Sequence, residues 1–359
     1  MDLSVRVFRI RSTWRGVAKP DSYPQARNIA LSTKHLLRAA FDSTALSTLM
    51  GCFERAESRR ANLLRVLTYH RVFDVSAFRR SMEYLAQRYH FITADELLEV
   101  LRDDKRLPPR SMMITFDDAY SDFATSAWPV LRSYDIPVVL FVPTGYPGNG
   151  DQVFWWDRLE QAIMHTPRGD ALETPAGCLR LRSTANRRRA HVRLCALVKT
   201  WDHDRTLSYV GEVCEELGGG PCTSQVLSWD ALRSLARDGV TLASHTRMHP
   251  LLNRVSTETA RAEITGARED LLRETGAALP LFAYPGGYYC PQTKKLLSEA
   301  GIEAAFTTVR GTNDLGTEDH LRLRRINIGH YANAGVVRAR LLESAVSFNR
   351  WRPVPNTYG

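Results

Sequence analysis

The chain has 359 residues, 44% of them hydrophobic and 24% charged, which suits a globular protein with a large core. Its net charge of +9 would suit nucleic acid, but the basic residues sit in scattered clusters such as Arg59-Arg60 and Arg187-Arg188-Arg189. No aromatic-interleaved basic strand set accompanies them, so nucleic acid is set aside, while anionic lipid surfaces or sugar–phosphate carriers stay compatible with the charge.

In chain order, residues 1–20 alternate Arg with short apolar stretches, and the run over 29–52 is broken by Lys34, His35, Arg38 and Asp42. Neither a signal-peptide core nor an apolar run long enough to span a membrane is evident, so a cytoplasmic chain is expected. Leu31, Leu36, Leu37, Ala40, Phe41, Leu46 and Leu49 fall near helical spacing. They predict a helical extension over 1–62 that packs on the body of the protein, with peripheral membrane contact through its basic face as the alternative. The six cysteines form no C-x-x-C pair and read as reduced, packing thiols.

From residue 63 the pattern alternates. A strand over 63–70 brings His70 to its end, and helices over 76–89 and 94–101 follow, the second opened by Thr93 with Glu96 three residues on. Strand 111–116, helix 122–134 and strand 136–142 continue the rhythm. A basic, helix-rich insertion over about 151–226 interrupts it, opening on Phe154-Trp155-Trp156-Asp157. In that stretch Arg187-Arg188-Arg189 is expected to be a solvated helix face. Helix 228–237, capped by Ser228, leads to strand 240–244; helix 255–275, strand 280–284, helix 291–300, strands 302–307 and 322–328, and helix 334–347 complete the chain. The alternation predicts a parallel α/β barrel.

Three strand ends carry chemistry. Thr115-Phe116 runs into two adjacent carboxylates, Asp117-Asp118. Ala243-Ser244 runs into His245, with His249 four residues later, and Phe282-Ala283-Tyr284 stops on Pro285-Gly286-Gly287, where backbone N–H groups can approach a ligand. Ligands gather at the carboxyl ends of parallel strands. Two His and one Asp form a set that borderline metals accept with a position left open. A magnesium nucleotide site is disfavoured because no G-x-x-x-x-G-K-[ST] loop occurs. A thermolysin-like peptidase is excluded because Thr246 stands where H-E-x-x-H needs Glu.

With ITFDDAY at 114–120, SHTRMHP at 244–250 and FAYPGG at 282–287, the chain resembles the polysaccharide deacetylases of carbohydrate esterase family 4. Weaker matches are LTYHRV at 67–72, IPVVLFVPT at 136–144 and LRRINI at 323–328. The resemblance covers roughly 63–330 and implies a distorted (β/α) barrel of about seven strands, leaving 331–359 as a C-terminal helix and tail. By the same resemblance, Asp118, His245 and His249 bind one divalent metal, zinc before cobalt, nickel or manganese, and Asp117 is the general base. A backbone N–H near Gly286 would face the oxyanion.

The chain departs from the family pattern in three places. Ala283 stands where many relatives have an Arg that orients the base, and Arg325 is the candidate to replace it. The usual histidine acid has no clear counterpart, leaving His320 and His330. Gly286 replaces a usual Tyr or Phe. Trp155, Tyr284, Pro285 and Gly286 are assigned to substrate contact, with the tryptophans either a sugar platform or an anchor for the insertion. The expected activity is removal of N-acetyl groups from amino sugars of an oligosaccharide, polysaccharide or lipid-linked glycan. A catalytically silent carbohydrate-binding barrel and an amidohydrolase on a small nitrogenous ring are the alternatives. An intact base beside the ligands argues against the first, and a closed pocket would favour the second.

Overall fold

The computed structural model describes residues 62–346 apart from 104, 221 and 331. The expected extension over 1–62, with its membrane-contact reading, and the tail beyond 346 lie outside the described residues, except for Asn62. Among those described, no helix is long and apolar enough to cross a membrane.

The strands are β1 (Leu63–Tyr69), β2 (His90–Phe91), β3 (Ser111–Phe116), β4 (Val138–Val142), β5 (Ala171–Thr174), β6 (Gly177–Arg180), β7 (Thr241–Ser244), β8 (Leu281–Ala283), β9 (Ala304–Phe306), β10 (Asn313–Asp314) and β11 (Ile326–Asn327). The main sheet runs β10-β1-β3-β4-β7-β8-β9, with β2 beside β3 and β11 beside β1. The pairings from β1 through β9 are parallel, as the βα alternation requires. The predicted strand 322–328 is split. Leu323 bridges to Phe306 beside β9, and Ile326 pairs with Leu67 of β1. This one segment joins both edges of the sheet and completes a distorted seven-stranded (β/α) barrel.

The helices are α1 (Val75–Ala86), α2 (Ala94–Asp103), α3 (Trp128–Arg132), α4 (Trp155–His165), α5 (Thr184–Val198), α6 (His203–Glu216), α7 (Trp229–Arg237), α8 (Thr257–Thr275), α9 (Pro291–Glu299) and α10 (Ala334–Val346). Their starts follow the caps in the sequence. Thr93 and Glu96 exchange hydrogen bonds at α2, and the Ser228 hydroxyl accepts from Ala231 N–H at α7.

Strand residues are buried on both faces and divide by parity. Met112, Ile114 and Phe116, with Val138, Leu140 and Val142, face the helices. Met113, Val139, Phe141, Ala243, Leu281, Ala283, Phe306 and Leu323 fill the barrel interior. The same two-residue period, carried one step past each strand, sends Asp117, His245 and Arg325 inward at the top of that interior.

Three further expectations need correcting. The single helix over 122–134 is a π-turn, Phe123–Ala127, running into the short α3. Pro129 in its first turn has no N–H to donate and crowds the preceding turn, so the ladder cannot stay regular there. The insertion is helix-rich as expected but also contains the β5–β6 hairpin, where Gly177 opens β6 straight after the turn with φ +93°. Arg187 is not solvated. Its guanidinium donates to the carbonyls of Met164, Thr166, Arg168 and Leu181, gathering orphan carbonyls at the end of α4 and stapling the insertion together.

Candidate active site

Asp117 and Asp118 follow β3 directly. The Asp117 N–H donates to the Tyr69 carbonyl of β1, which extends the ladder one residue past the strand. Continued extended backbone would turn Asp118 outward. Instead Asp118 and Ala119 adopt left-handed φ values of +71° and +51°, a conformation that costs energy in non-glycine residues and collects at functional sites. The turn brings Asp118 Oδ1 to 3.5 Å from His245 Nε2 and 3.4 Å from His249 Nε2.

The histidines come from the loop after β7. His245 N–H continues the ladder to the Val142 carbonyl, and His245 Nδ1 donates to the Ala283 carbonyl at 2.7 Å. That partner fixes the tautomer, so Nε2 faces Asp118 with its lone pair. Thr246 and His249 also have positive φ, +66° and +54°. The loop is held from behind by α8. Glu263 accepts the N–H groups of Arg247 and Met248, and Asp270 takes the Arg247 guanidinium in two hydrogen bonds of 2.7 and 2.9 Å.

The two histidines and Asp118 present ligand atoms that all lie within 4.8 Å of one another. Asp118 Oδ1 and His249 Nδ1 are buried with no hydrogen-bond partner. A buried carboxylate oxygen left unpaired between two imine nitrogens is costly unless a cation joins them, so the donor set fits a divalent metal. Burial pushes His249 down to about 3, leaving it neutral, as a ligand must be.

Asp117 is set apart from this cluster. Arg325 is fully buried and grips it in a bidentate pair, Nη1–Oδ1 and Nη2–Oδ2 both 2.7 Å. Its Nε–H donates to the Thr307 carbonyl at 2.9 Å, which fixes the fork. Burial works against the Asp117 charge, but Arg325 overcomes it and the carboxyl stays ionised. The guanidinium thus arrives from the barrel-closing segment at the place left open by Ala283.

The cleft above these groups has a volume of about 610 Å³, and the insertion forms one wall of it. Gly286 lines it with φ +62°, next to Tyr288. Tyr284 and Pro285, assigned to substrate from sequence, do not line it. Tyr284 is fully buried and its hydroxyl donates to the Leu321 carbonyl, because strand alternation turns it away from the interior. Trp155 touches the cleft but is 9% exposed and packs mainly in the core of the insertion. Trp156 is the tryptophan at the chemistry, with its ring 4.7 Å from His249 and its Nε1–H donated to Tyr120 Oη, which donates to Asp157. Neither expected acid reaches the cleft. His320 bonds the Leu315 carbonyl, and Leu315 pairs with Asn62 at the opposite end of β1. His330 packs against Phe73 outside the cleft lining. His70 is there instead, lining the cleft with Nε2 3.9 Å from Asp117 Oδ2.

Residues 104–305, more than half of the chain, match the family model for polysaccharide deacetylases. The chain belongs to the polysaccharide deacetylase family. Among curated relatives, this member is 32% identical over 71 residues to a poly-beta-1,6-N-acetyl-D-glucosamine N-deacetylase of Escherichia coli (strain K12). The match covers 20% of the chain and spans 10% of the length of that relative. Among solved structures, the Streptococcus pyogenes deacetylase PplD in complex with acetate superposes with a TM-score of 0.52 at 16% identity, covering 79% of this chain and 98% of that one. IcaB from Ammonifex degensii does so with a TM-score of 0.52 at 19% identity, covering 78% and 97%. At these identities the two structures speak for the deacetylase barrel alone.

Proposed function

We propose that the chain is a metal-dependent hydrolase that removes N-acetyl groups from amino sugars of an oligosaccharide, polysaccharide or lipid-linked glycan. The observation that carries this reading is a division of labour between neighbours. Asp118 shares its oxygen with two histidines, while Asp117 is excluded from that cluster and held by Arg325. A silent sugar-binding barrel has no use for a pinned, unligated carboxylate beside a ligand set.

Asp118, His245 and His249 would hold the ion, with zinc the best fit to an Asp/His₂ set and cobalt, nickel or manganese as alternatives. When bound, the ion supplies a water of lowered pKa and polarises the amide carbonyl. Asp117 takes the proton as the water oxygen attacks the acetyl carbon. Arg325 keeps the carboxylate aimed and ionised. Gly287 and Tyr288 spend their N–H groups inside the turn, so Gly286 is the natural donor to the oxyanion. As the carbon–nitrogen bond breaks, the amine takes a proton from His70, the cleft histidine beside the base, and acetate leaves.

The test is acetate release from a panel of N-acetylated glycans, with metal content measured in parallel. Asp117→Asn should abolish release while keeping the metal, whereas Asp118→Asn should lose both. Full release after complete chelation would overturn the metal assignment, and the opposite pattern of metal loss would reverse the two roles.

A further inference from the structure

The wall that the insertion builds over the cleft has a composition that deacetylation alone does not call for. Helix α5 is apolar along two faces. Ala190, Leu194 and Val198 recur at helical spacing and are buried in the core of the insertion. A second stripe, Val192, Cys195, Ala196 and Lys199, recurs at i, i+3, i+4 and i+7 and lines the cleft. Val192 is 65% exposed, the most exposed of the large hydrophobic side chains on the described surface. The Cys195 thiol is pushed up to about 12 by burial, so it is neutral, and its Sγ lies 3.2 Å from His191 Nε2 of the same helix. Trp201, just beyond α5, continues the stripe along the same wall.

The stripe is continuous with the catalytic groups. The His191 ring of α5 meets the Trp156 carbonyl at 3.2 Å, and the Trp156 ring lies 4.7 Å from His249. Sugar rings can stack on tryptophan, but their hydroxyls gain nothing from Val192 or Ala196, whose contact with water is unfavourable. Resting on the deacetylase reading above, we infer that the substrate is an amino sugar glycosidically linked to an apolar chain. The N-acetyl group lies at Asp117 and the chain runs along the Val192–Ala196 face of α5. Lys199, at the end of the stripe, supplies a cation near the linkage.

The experiment compares methyl and octyl glycosides of N-acetylglucosamine, the octyl compound kept below its micellar concentration. Burying one or two methylenes amounts to about a factor of ten. The octyl glycoside should therefore show kcat/KM about tenfold or more above the methyl glycoside, and Val192→Asp should bring that ratio toward one. Binding to the Asp117→Asn variant, followed by tryptophan fluorescence, should show the same preference without turnover. Deacetylation with a ratio near one and no binding preference overturns the apolar wall and leaves the deacetylase reading standing. That result is also expected if residues outside the described region cover the stripe. A preference that survives Val192→Asp likewise overturns the assignment. Octyl-selective, Val192-dependent binding with no acetate released from any substrate would keep the wall and remove the deacetylase reading.

Discussion

Arg325 is the residue on which Asp117, the proposed base, depends. A guanidinium with no exposed surface, bonded to both Asp117 oxygens, is there for orientation as much as for charge. Arg325→Lys keeps the charge and loses the fork, so turnover should fall about a hundredfold with metal content retained, as kinetics and metal analysis can check. Arg325→Met leaves Asp117 buried and unpaired and should cost about 3–5 kcal/mol in denaturant unfolding. Asp117 and His245 were legible in sequence because each follows a strand-like run at a position that points inward, whereas Asp118 and His249 came with the family resemblance and Arg325 as the substitute for the Arg missing at Ala283. His70 ends a strand-like run too, but the family pattern places the acid near the last strand, which points to the later histidines His320 and His330. Trp156 and Tyr288 carried no periodic signal. Which of two adjacent tryptophans faces the cleft depends on how α4 is rotated, and its anchors are long-range: the Tyr120–Asp157 hydrogen bond across 37 residues and the packing of Leu159 and Ile163 in the insertion core.

At the level of elements, the contact between insertion and barrel runs through a half-buried acid, Asp157. Burial raises Asp157 to about 6, a shift that the Tyr120 hydrogen bond partly offsets and the nearby Asp118 charge increases. A carboxyl raised above its unfolded value near 4 binds more protons in the folded state, so its stability contribution is lost as pH climbs from about 4 to 6. Unfolding free energies of wild type and Asp157→Asn should therefore diverge, with wild type losing about 1–2 kcal/mol relative to the variant between pH 4 and 7, part of the full shift being discounted for partial exposure. A pH-independent gap would show that Asp157 is not the titrating group. Helix starts were readable from Thr93 and Ser228, since caps are local chemistry, whereas Ser256, which caps α8, falls inside the predicted helix 255–275. The β5–β6 hairpin was not, because its two strands are short and bury little beyond Leu172 and Leu179.

Over the whole molecule, a ligand set with an unpaired oxygen at its centre predicts that metal and fold are linked. Zinc at a hundredfold excess over its Kd should stabilise the native state by about 2.7 kcal/mol and raise Tm by about 5 °C or more. The shift should vanish with chelator or in Asp118→Asn, and thermal unfolding measures it directly. The barrel was legible because parallel strands read as continuous apolar runs between capped helices. Its closure was not, since a strand shared between two partners, Leu323 on β9 and Ile326 on β1, leaves no periodic trace. That shared strand has a kinetic side. The hydrogen bonds between Arg325 and Asp117 join residues 208 apart in sequence, so they form only after a very long loop has closed. A nascent chain that has made β1 through β9 already carries the proposed base and ligand residues, but Asp117, at the end of the interior strand β3, still lacks its guanidinium partner. On the proposed reading, the segment that closes the barrel also brings the base its partner, so a chain lacking that closure would be an inert one.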